Sequence, residues 1–196
     1  KVTIMLEEVS LPYRVHPIHI GKGEQHDSEF LKISPNNKIP AIVDGDNGLA
    51  MMESGAILLY LAEKTGKLGP AGDAEHWEML QWLMFQMASV GPMLGQTHHF
   101  LRNRKGEDAY ACERYLKENR RIYGVLNARL ADRDYIVGDY SIVDIATWPW
   151  ITRFDWQTMD LDNYPNVKRW YLSIVERQAV QRGWNIPESD QKIPMP

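Results

Sequence analysis

Cysteine is almost missing from this sequence, since Cys112 is the single example among 196 residues. The scarcity excludes an internal disulfide, a CxxC redox pair and a zinc site built from several cysteines. A lone cysteine also suits a reducing compartment better than a secreted chain, and the start of the chain carries no apolar signal-peptide core. We therefore expect a cytoplasmic protein.

Long apolar runs and an excess of basic residues are also lacking. The longest apolar run, residues 55–62, is far shorter than the roughly 20 residues that a membrane-spanning helix needs. Lys and Arg number 22 against 26 Asp and Glu, so the formal net charge of −4 offers no basic field to a phosphate backbone. We expect neither a membrane nor a nucleic acid as a partner.

What is present is the composition of an ordinary folded protein, with 44% hydrophobic and 24% charged residues. Before residue 66, helical patterns alternate with short runs that are typical of strands. The predicted elements are a helix that ends before Pro12, a strand at 13–20, a helix at 28–33, a hairpin with strands at 39–43 and 49–52, and a helix at 55–65 capped by Ser54.

From residue 74 onward the sequence shows the helical period. The predicted elements are a long helix with a kink at Gly91–Pro92, a second helix at 107–130, a third that starts at the capping box of Ser141 and Asp144, a fourth at 163–178, and an irregular tail after Trp184. Residues 66–73, which are rich in Gly and Pro, are the predicted linker between the two patterns. The predicted fold class is α/β plus all-α. Its two domains cover residues 1–67 and 74–196.

The stretch NNKIP, residues 36–40, is the first candidate binding motif. A proline that opens a strand after a tight loop is a candidate for a cis peptide bond. Ile39 would then offer its N–H and C=O to the peptide group of a ligand, in the manner of an added strand. The alternative is an ordinary trans proline at Pro40, at the start of a strand.

The pair Glu53 and Ser54 is the second candidate motif. A serine at a helix N-terminus presents a hydroxyl group, free amides and the positive end of the helix dipole, which together suit a carboxylate. Glu53 beside it can pair with an ammonium group, so an amino-acid head would satisfy both residues. The alternative is a plain helix start with an acidic residue in front of it.

Four segments together resemble the glutathione transferases, and among these the bacterial nu class: FLKISPNNKIPAIVD, ESGAILLYLAEKTGKL, LQWLMFQMASVGPMLGQ with HHF after it, and YSIVDIATWPW. The resemblance runs from residue 1 to about residue 180. It implies a thioredoxin-like glutathione-binding domain over residues 1–67, whose first strand is absent from this sequence. The all-helical domain, residues 74–196, would form the pocket for an electrophile or disulfide.

The resemblance also implies binding roles. Ile39 would pair with the cysteinyl backbone of glutathione next to a cis Pro40, and Glu53 with Ser54 would hold the γ-glutamyl head.

Lys38 and Gln25 would reach the glycine end of the tripeptide, although each is equally well read as a surface residue. Arg114 would form a cationic wall over the sulfur, with an i,i+4 pair to Glu118 as the alternative.

In the nu class a Thr and an Asn in a loop before the first helix act on the thiol, and neither is in this sequence. We expect about a dozen residues, a strand and a loop, to precede Lys1. Cys112 is expected to be an inert thiol, and no metal is expected because His98 and His99 point to different helix faces.

The resulting hypothesis is an enzyme that binds glutathione or its disulfide and uses the glutathione thiolate to attack a small disulfide or electrophile. Weak conjugation or hydroperoxide reduction is a possible side activity. A homodimer is implied by the resemblance. The alternative is a non-catalytic binding or regulatory protein with the same fold, whereas a thioredoxin-like redox protein is excluded by the missing CxxC motif.

Overall fold

The computed structural model describes residues 1–188 and 191–196. Its N-terminal part contains the predicted mixture of helices and a hairpin, and its C-terminal part is helical, which confirms the fold class. The elements are α1 (Val2–Val9), α2 (Ser28–Ile33), β1 (Ala41–Val43), β2 (Ala50–Met52), α3 (Ser54–Thr65), α4 (Asp73–Phe85), α5 (Gly91–His98), α6 (Ala109–Arg129), α7 (Ile142–Ile151), α8 (Pro165–Val175) and α9 (Gln178–Trp184). In the described part of the chain no helix combines the length and apolarity needed to cross a membrane.

The hairpin forms where the sequence predicts it. Strands β1 and β2 pair antiparallel, with Ala41 opposite Met52 and Val43 opposite Ala50. The turn between them contains Gly48 with φ 73°, a conformation that costs glycine little. Helices α2 and α3 pack against this hairpin. Because the strands are antiparallel, the start of β1, which follows the first candidate motif, lies beside the end of β2, which leads into the second.

The strand predicted at residues 13–20 is wrong. A strand needs a neighbour to receive its N–H and C=O groups, and the described residues form no ladder with this segment. Pro17 also removes one ladder donor. Two of the three β-branched side chains that suggested a strand are exposed, Val15 at 40% and Ile20 at 60% of their accessible surface, and the segment runs as irregular chain up to a 3-10 turn that begins at Ile20.

The long helix predicted from residue 74 is interrupted near the expected place. Helix α4 leads into a π-helical turn, Gln86–Val90, and α5 begins at Gly91 with Pro92 in its first turn. A π turn widens the hydrogen-bonding pattern by one residue and changes which side chains face inward. Here the turn buries Gln86, which is only 1% exposed.

Helix α7 is the centre of the core, and nearly all of its residues are buried. Its capping box is formed as predicted: the Val143 amide donates to Ser141 Oγ, and the Ser141 amide donates to Asp144 Oδ2. Trp170 Nε1 of α8 also donates to Asp144 Oδ1 at 2.8 Å. This carboxylate therefore ties two helices of the C-terminal part together.

Helix α1 lies between the two parts of the molecule, because it packs on both α3 and α9. Two ion pairs hold it to the C-terminal segment, Glu8 with Arg177 at 2.7 Å and Glu7 with Arg182 at 2.6 Å. The fourth helix predicted at 163–178 is observed as α8, and α9 follows it as a helix that the sequence analysis did not predict. The irregular tail predicted after Trp184 is observed, except for residues 189 and 190, which lie outside the described residues.

Candidate functional site

The loop between α2 and β1 is fixed by a buried serine. Ser34 is fully buried, and its Oγ donates to the Lys38 carbonyl at 2.8 Å and accepts from the Lys38 amide at 3.4 Å. These two bonds close the loop over four residues and satisfy both polar groups of the Lys38 main chain. The Lys38 side chain is left exposed, without an ion-pair partner among the described residues.

The peptide bond between Ile39 and Pro40 is cis, as the motif suggested. Strand β1 begins only at Ala41, and within the described residues the N–H and C=O of Ile39 make no hydrogen bond. The Ile39 residue is 51% exposed. An extended peptide laid beside this residue can therefore pair with its main chain without displacing an internal bond.

Glu53 has an unusual backbone conformation at the start of α3. Its φ of 69° lies in the left-handed region, which is uncommon for a residue with a side chain and is often kept where it serves a site. The Glu53 carboxylate accepts from Asn36 Nδ2 at 3.4 Å. This bond links the two candidate motifs across the hairpin.

The prediction that Ser54 caps α3 is wrong. Glu53 occupies the N-cap position without a side-chain capping bond, and Ser54 is the first residue of the helix. The amides of residues 54–56 find no acceptor among the described residues. Four such groups are orphaned at every helix start, and here a ligand carboxylate can approach them.

The two motifs converge on one open cavity. It is lined by Ser34, Lys38, Ile39, Pro40, Met52, Glu53 and Ser54. Five of the seven residues predicted to bind glutathione thus share a single surface, with an exposed cation at one end and a helix N-terminus at the other. Such a surface suits an extended ligand with a carboxylate at each end and an ammonium group near one of them.

Gln25 and Arg114, the two remaining predicted residues, do not line this cavity. Gln25 lies in a 3-10 turn, where its Nε2 is 3.3 Å from His26 Nε2 and its buried Oε1 has no partner among the described residues. Arg114 is exposed on α6. The alternative pair with Glu118 is not formed either, because Glu118 bonds Arg121 at 2.7 Å.

Lys1 is a residue of this region that our sequence analysis did not identify. Its Nζ donates to Ser54 Oγ at 3.3 Å and to Gln86 Oε1 at 3.1 Å, and it lies 5.9 Å from the centre of the Trp150 ring. Burial lowers the pKa of the Lys1 ammonium to about 8, and the charge of Glu53 partly opposes this shift. The sequence gives no signal for this role, since a lysine at the start of an amphipathic helix is usually solvated.

His98 contacts Trp150 in the C-terminal helical part of the molecule. Its ring stacks on Trp150 with centroids 6.0 Å apart, and its Nε2 lies 3.0 Å from Gln157 Nε2. Burial lowers the pKa of His98 to about 4, with a further contribution from the positive charges of Arg153 and Arg102. His98 is therefore a neutral packing residue near neutral pH.

The described residues that line the cavity include neither Cys112 nor a group of metal-binding side chains. Cys112 lies on α6, and its Sγ donates to the Phe100 carbonyl at 3.4 Å. Among the residues that the structure describes, no group of three His, Cys, Asp or Glu side chains is arranged to hold a metal ion.

Comparisons with known proteins agree with this geometry. The chain matches the family models for the glutathione S-transferase N-terminal domain, over residues 1–63, and C-terminal domain, over residues 90–178. It is 50% identical over 185 residues to the disulfide-bond oxidoreductase YfcG of Escherichia coli (strain K12), and the match covers 91% of this chain and 86% of that protein.

Two solved structures are similar over almost the whole chain. A glutathione transferase from Pseudomonas putida, with one glutathione disulfide bound per subunit, is 43% identical with a TM-score of 0.89, and the match covers 95% of this chain and 86% of that one. A glutathione transferase from Burkholderia graminis, with two glutathione molecules bound per subunit, is 44% identical with a TM-score of 0.89, covering 95% and 82%.

Proposed function

Because this chain belongs to the glutathione S-transferase family, we propose that it is an enzyme that uses glutathione to reduce small disulfides. The observation that carries the binding site is the cavity at which the unpaired main chain of Ile39 meets the uncapped start of α3 at Ser54. The disulfide as substrate is supported by the relatives, one of them named a disulfide-bond oxidoreductase and another solved with glutathione disulfide.

In this proposal each end of glutathione meets a group of complementary charge. The γ-glutamyl carboxylate binds the amides at the start of α3 and the Ser54 hydroxyl, while its ammonium group pairs with Glu53. The cysteinyl unit pairs with the main chain of Ile39, beside the cis Pro40. The glycine carboxylate faces Lys38.

Gln25 and Arg114 have more limited roles in the proposal. Gln25 is assigned to the glycine end of the tripeptide, where its Nε2 would donate to the carboxylate after its loop turns that side chain toward the ligand. Arg114 is assigned to the disulfide side, where an exposed cation on α6 attracts the anionic half of glutathione disulfide.

The chemistry is an exchange of sulfur partners. The glutathione thiolate attacks one sulfur of the disulfide, a new sulfur–sulfur bond forms, and the other sulfur leaves as a thiolate that takes up a proton. The protein contributes by lowering the thiol pKa and by aligning the three sulfur atoms. The resemblance assigns the contact with the thiol to a Thr and an Asn in a loop before α1, which have no counterpart in residues 1–196, so no residue of this chain is assigned to the thiol.

The domain roles and the assembly follow as proposals. Residues 1–67 bind the tripeptide, and residues 74–196 supply the wall of the disulfide pocket. The protein is a cytoplasmic homodimer with twofold symmetry, the commonest arrangement of soluble oligomers, and it requires no metal.

The test is calorimetric titration of the full-length protein with reduced and oxidised glutathione, combined with a disulfide reduction assay. Glu53→Ala should abolish saturable binding, because it removes the partner of the ligand ammonium. Glu63→Ala, which changes an exposed acid at the far end of the same helix, should bind as the wild type does.

The outcomes separate the candidate functions. Saturable binding with turnover supports the reductase. Binding without turnover of any disulfide favours the non-catalytic binding protein. If the wild-type protein binds neither form of glutathione, the proposed function is wrong.

A further inference from the structure

We propose that Lys1, which does not line the cavity itself but donates to the lining residue Ser54, is an additional binding residue that directs the Ser54 hydroxyl proton toward the ligand and attracts the α-carboxylate of the γ-glutamyl group. Gln86 and Trp150 act as positioning residues that hold the Lys1 ammonium in place. This inference rests on the proposed function, since it concerns how the same site recognises one end of glutathione.

The direction of the first hydrogen bond follows from its partners. An ammonium group has donors and no acceptor, so Ser54 Oγ must be the acceptor of the 3.3 Å bond from Lys1 Nζ. A serine hydroxyl carries a single proton, and the described residues offer it no acceptor of its own. That proton is thereby available to a carboxylate at the start of α3.

The charge of Lys1 is not neutralised by its contacts. Among the described residues the two hydrogen-bond partners of Lys1 Nζ, Ser54 and Gln86, are both neutral, and the third neighbour is the face of the Trp150 ring. A half-buried ammonium normally pairs with an anion, because desolvated charge is costly without one. Glu53 acts on Lys1 through space without a direct bond, which leaves room for a ligand carboxylate.

The π-helical turn explains why Gln86 reaches the lysine. Gln86 opens this turn and is almost fully buried, and its Oε1 accepts from Lys1 at 3.1 Å while its Nε2 has no partner among the described residues. A Cβ at Gly91 would lie 3.4 Å from both Gln86 Nε2 and Trp150 Nε1. Because Gly91 has no side chain, Gln86 and Trp150 can both lie close to its backbone and contact Lys1.

The experiment is a cycle of two proteins and two ligands. The ligands are S-methylglutathione and the same peptide with a 4-aminobutyryl group in place of γ-glutamyl, which lacks only the α-carboxylate. For Lys1→Met in the full-length protein, we expect about 10-fold weaker binding of S-methylglutathione, the size of one charge-assisted hydrogen bond. The truncated ligand should bind the variant and the wild type within about twofold of each other.

Two further variants protect the result against misfolding. Gln86→Glu is nearly isosteric and gives the ammonium an internal carboxylate, so it should also weaken S-methylglutathione while leaving the truncated ligand unchanged. Lys67→Met is the matched control, because Lys67 is an exposed lysine that donates to the Val9 carbonyl at the other end of α1. It should change neither affinity.

The inference is overturned if Lys1→Met binds S-methylglutathione as tightly as the wild type does, or if both ligands weaken equally. In either case the wild-type protein still binds glutathione and the proposed function stands. A wild-type protein that binds neither ligand contradicts the proposed function itself.

Discussion

Replacing Gly183 with alanine tests the packing that holds α1, and with it the site, against the C-terminal segment. A Cβ at this position would lie 2.6 Å from Ile4 Cα and 2.7 Å from Ile4 N, whereas carbon atoms in contact are about 3.5–4.0 Å apart. Helix α9 would therefore have to move away from α1 by about 1 Å. The move would also stretch the 2.8 Å bond from Thr3 Oγ1 to the Gly183 carbonyl.

Two opposing terms set the magnitude. Alanine in a helix interior is favoured over glycine by about 1 kcal/mol, while overpacking against a rigid neighbour costs about 3 kcal/mol. We expect Gly183→Ala to lower the free energy of unfolding by about 2 kcal/mol, and the melting temperature by roughly 4–8 °C for a chain of this length. Urea and thermal unfolding measure both quantities.

Two other glycines serve as matched controls. Gly124 lies within α6 with nothing within 4 Å of the added Cβ, so Gly124→Ala should gain up to about 1 kcal/mol. At Gly55 the close atoms all belong to the flexible Met87 side chain, with Cε nearest at 2.9 Å, so this side chain can shift and Gly55→Ala should be nearly neutral. The reasoning is refuted if Gly183→Ala is as stable as Gly124→Ala, because the backbone contact would then cost nothing.

Two further predictions concern single side chains. Cys112→Ser should keep the rate of disulfide reduction within about twofold, since Cys112 Sγ bonds the Phe100 carbonyl outside the cavity; a lost rate would assign an enzyme thiol to the reaction. In the folded protein the pKa of His98 is lowered from 6.5 to about 4. Between these two values the unfolded chain binds a proton at His98 and the folded protein does not, so the free energy of unfolding falls with decreasing pH. Between pH 7.5 and 5, His98→Gln should lose less stability in urea unfolding than the wild type; equal losses would contradict the shift.

The sequence predicted those elements whose stabilising contacts are local. The capping box of Ser141 and Asp144 spans four residues, and the β1–β2 hairpin is closed by its own turn, so a short window contains the necessary groups. The segment 13–20 has the composition of a strand but no ladder partner among the described residues. A pattern that predicts a strand cannot supply the neighbour that the strand requires.

The site shows the same division between local and distant contacts. The pair of Glu53 and Ser54 and the candidate cis Pro40 could be proposed because each motif is contiguous, although the motif alone left a trans proline open and the cis bond was implied by the resemblance. Lys1 was missed because its partners are 53 and 85 residues away, at Ser54 and Gln86. Such a contact depends on how α1 packs between α3 and the π-helical turn, which no periodicity within α1 encodes.

Four departures from local rules meet at one place in the molecule. Glu53 adopts a left-handed backbone and Ser54 does not cap its helix, while among the described residues the main chain of Ile39 is unpaired and Lys1 has no anion within hydrogen-bonding distance. Each feature costs free energy in the unliganded protein, and natural proteins keep such costs mainly at functional sites. One zwitterionic peptide with a carboxylate at the start of α3 would supply hydrogen-bond or ionic partners to Ser54, Ile39 and Lys1 together. This common ligand is the physical reason to regard the four residues as a single binding site.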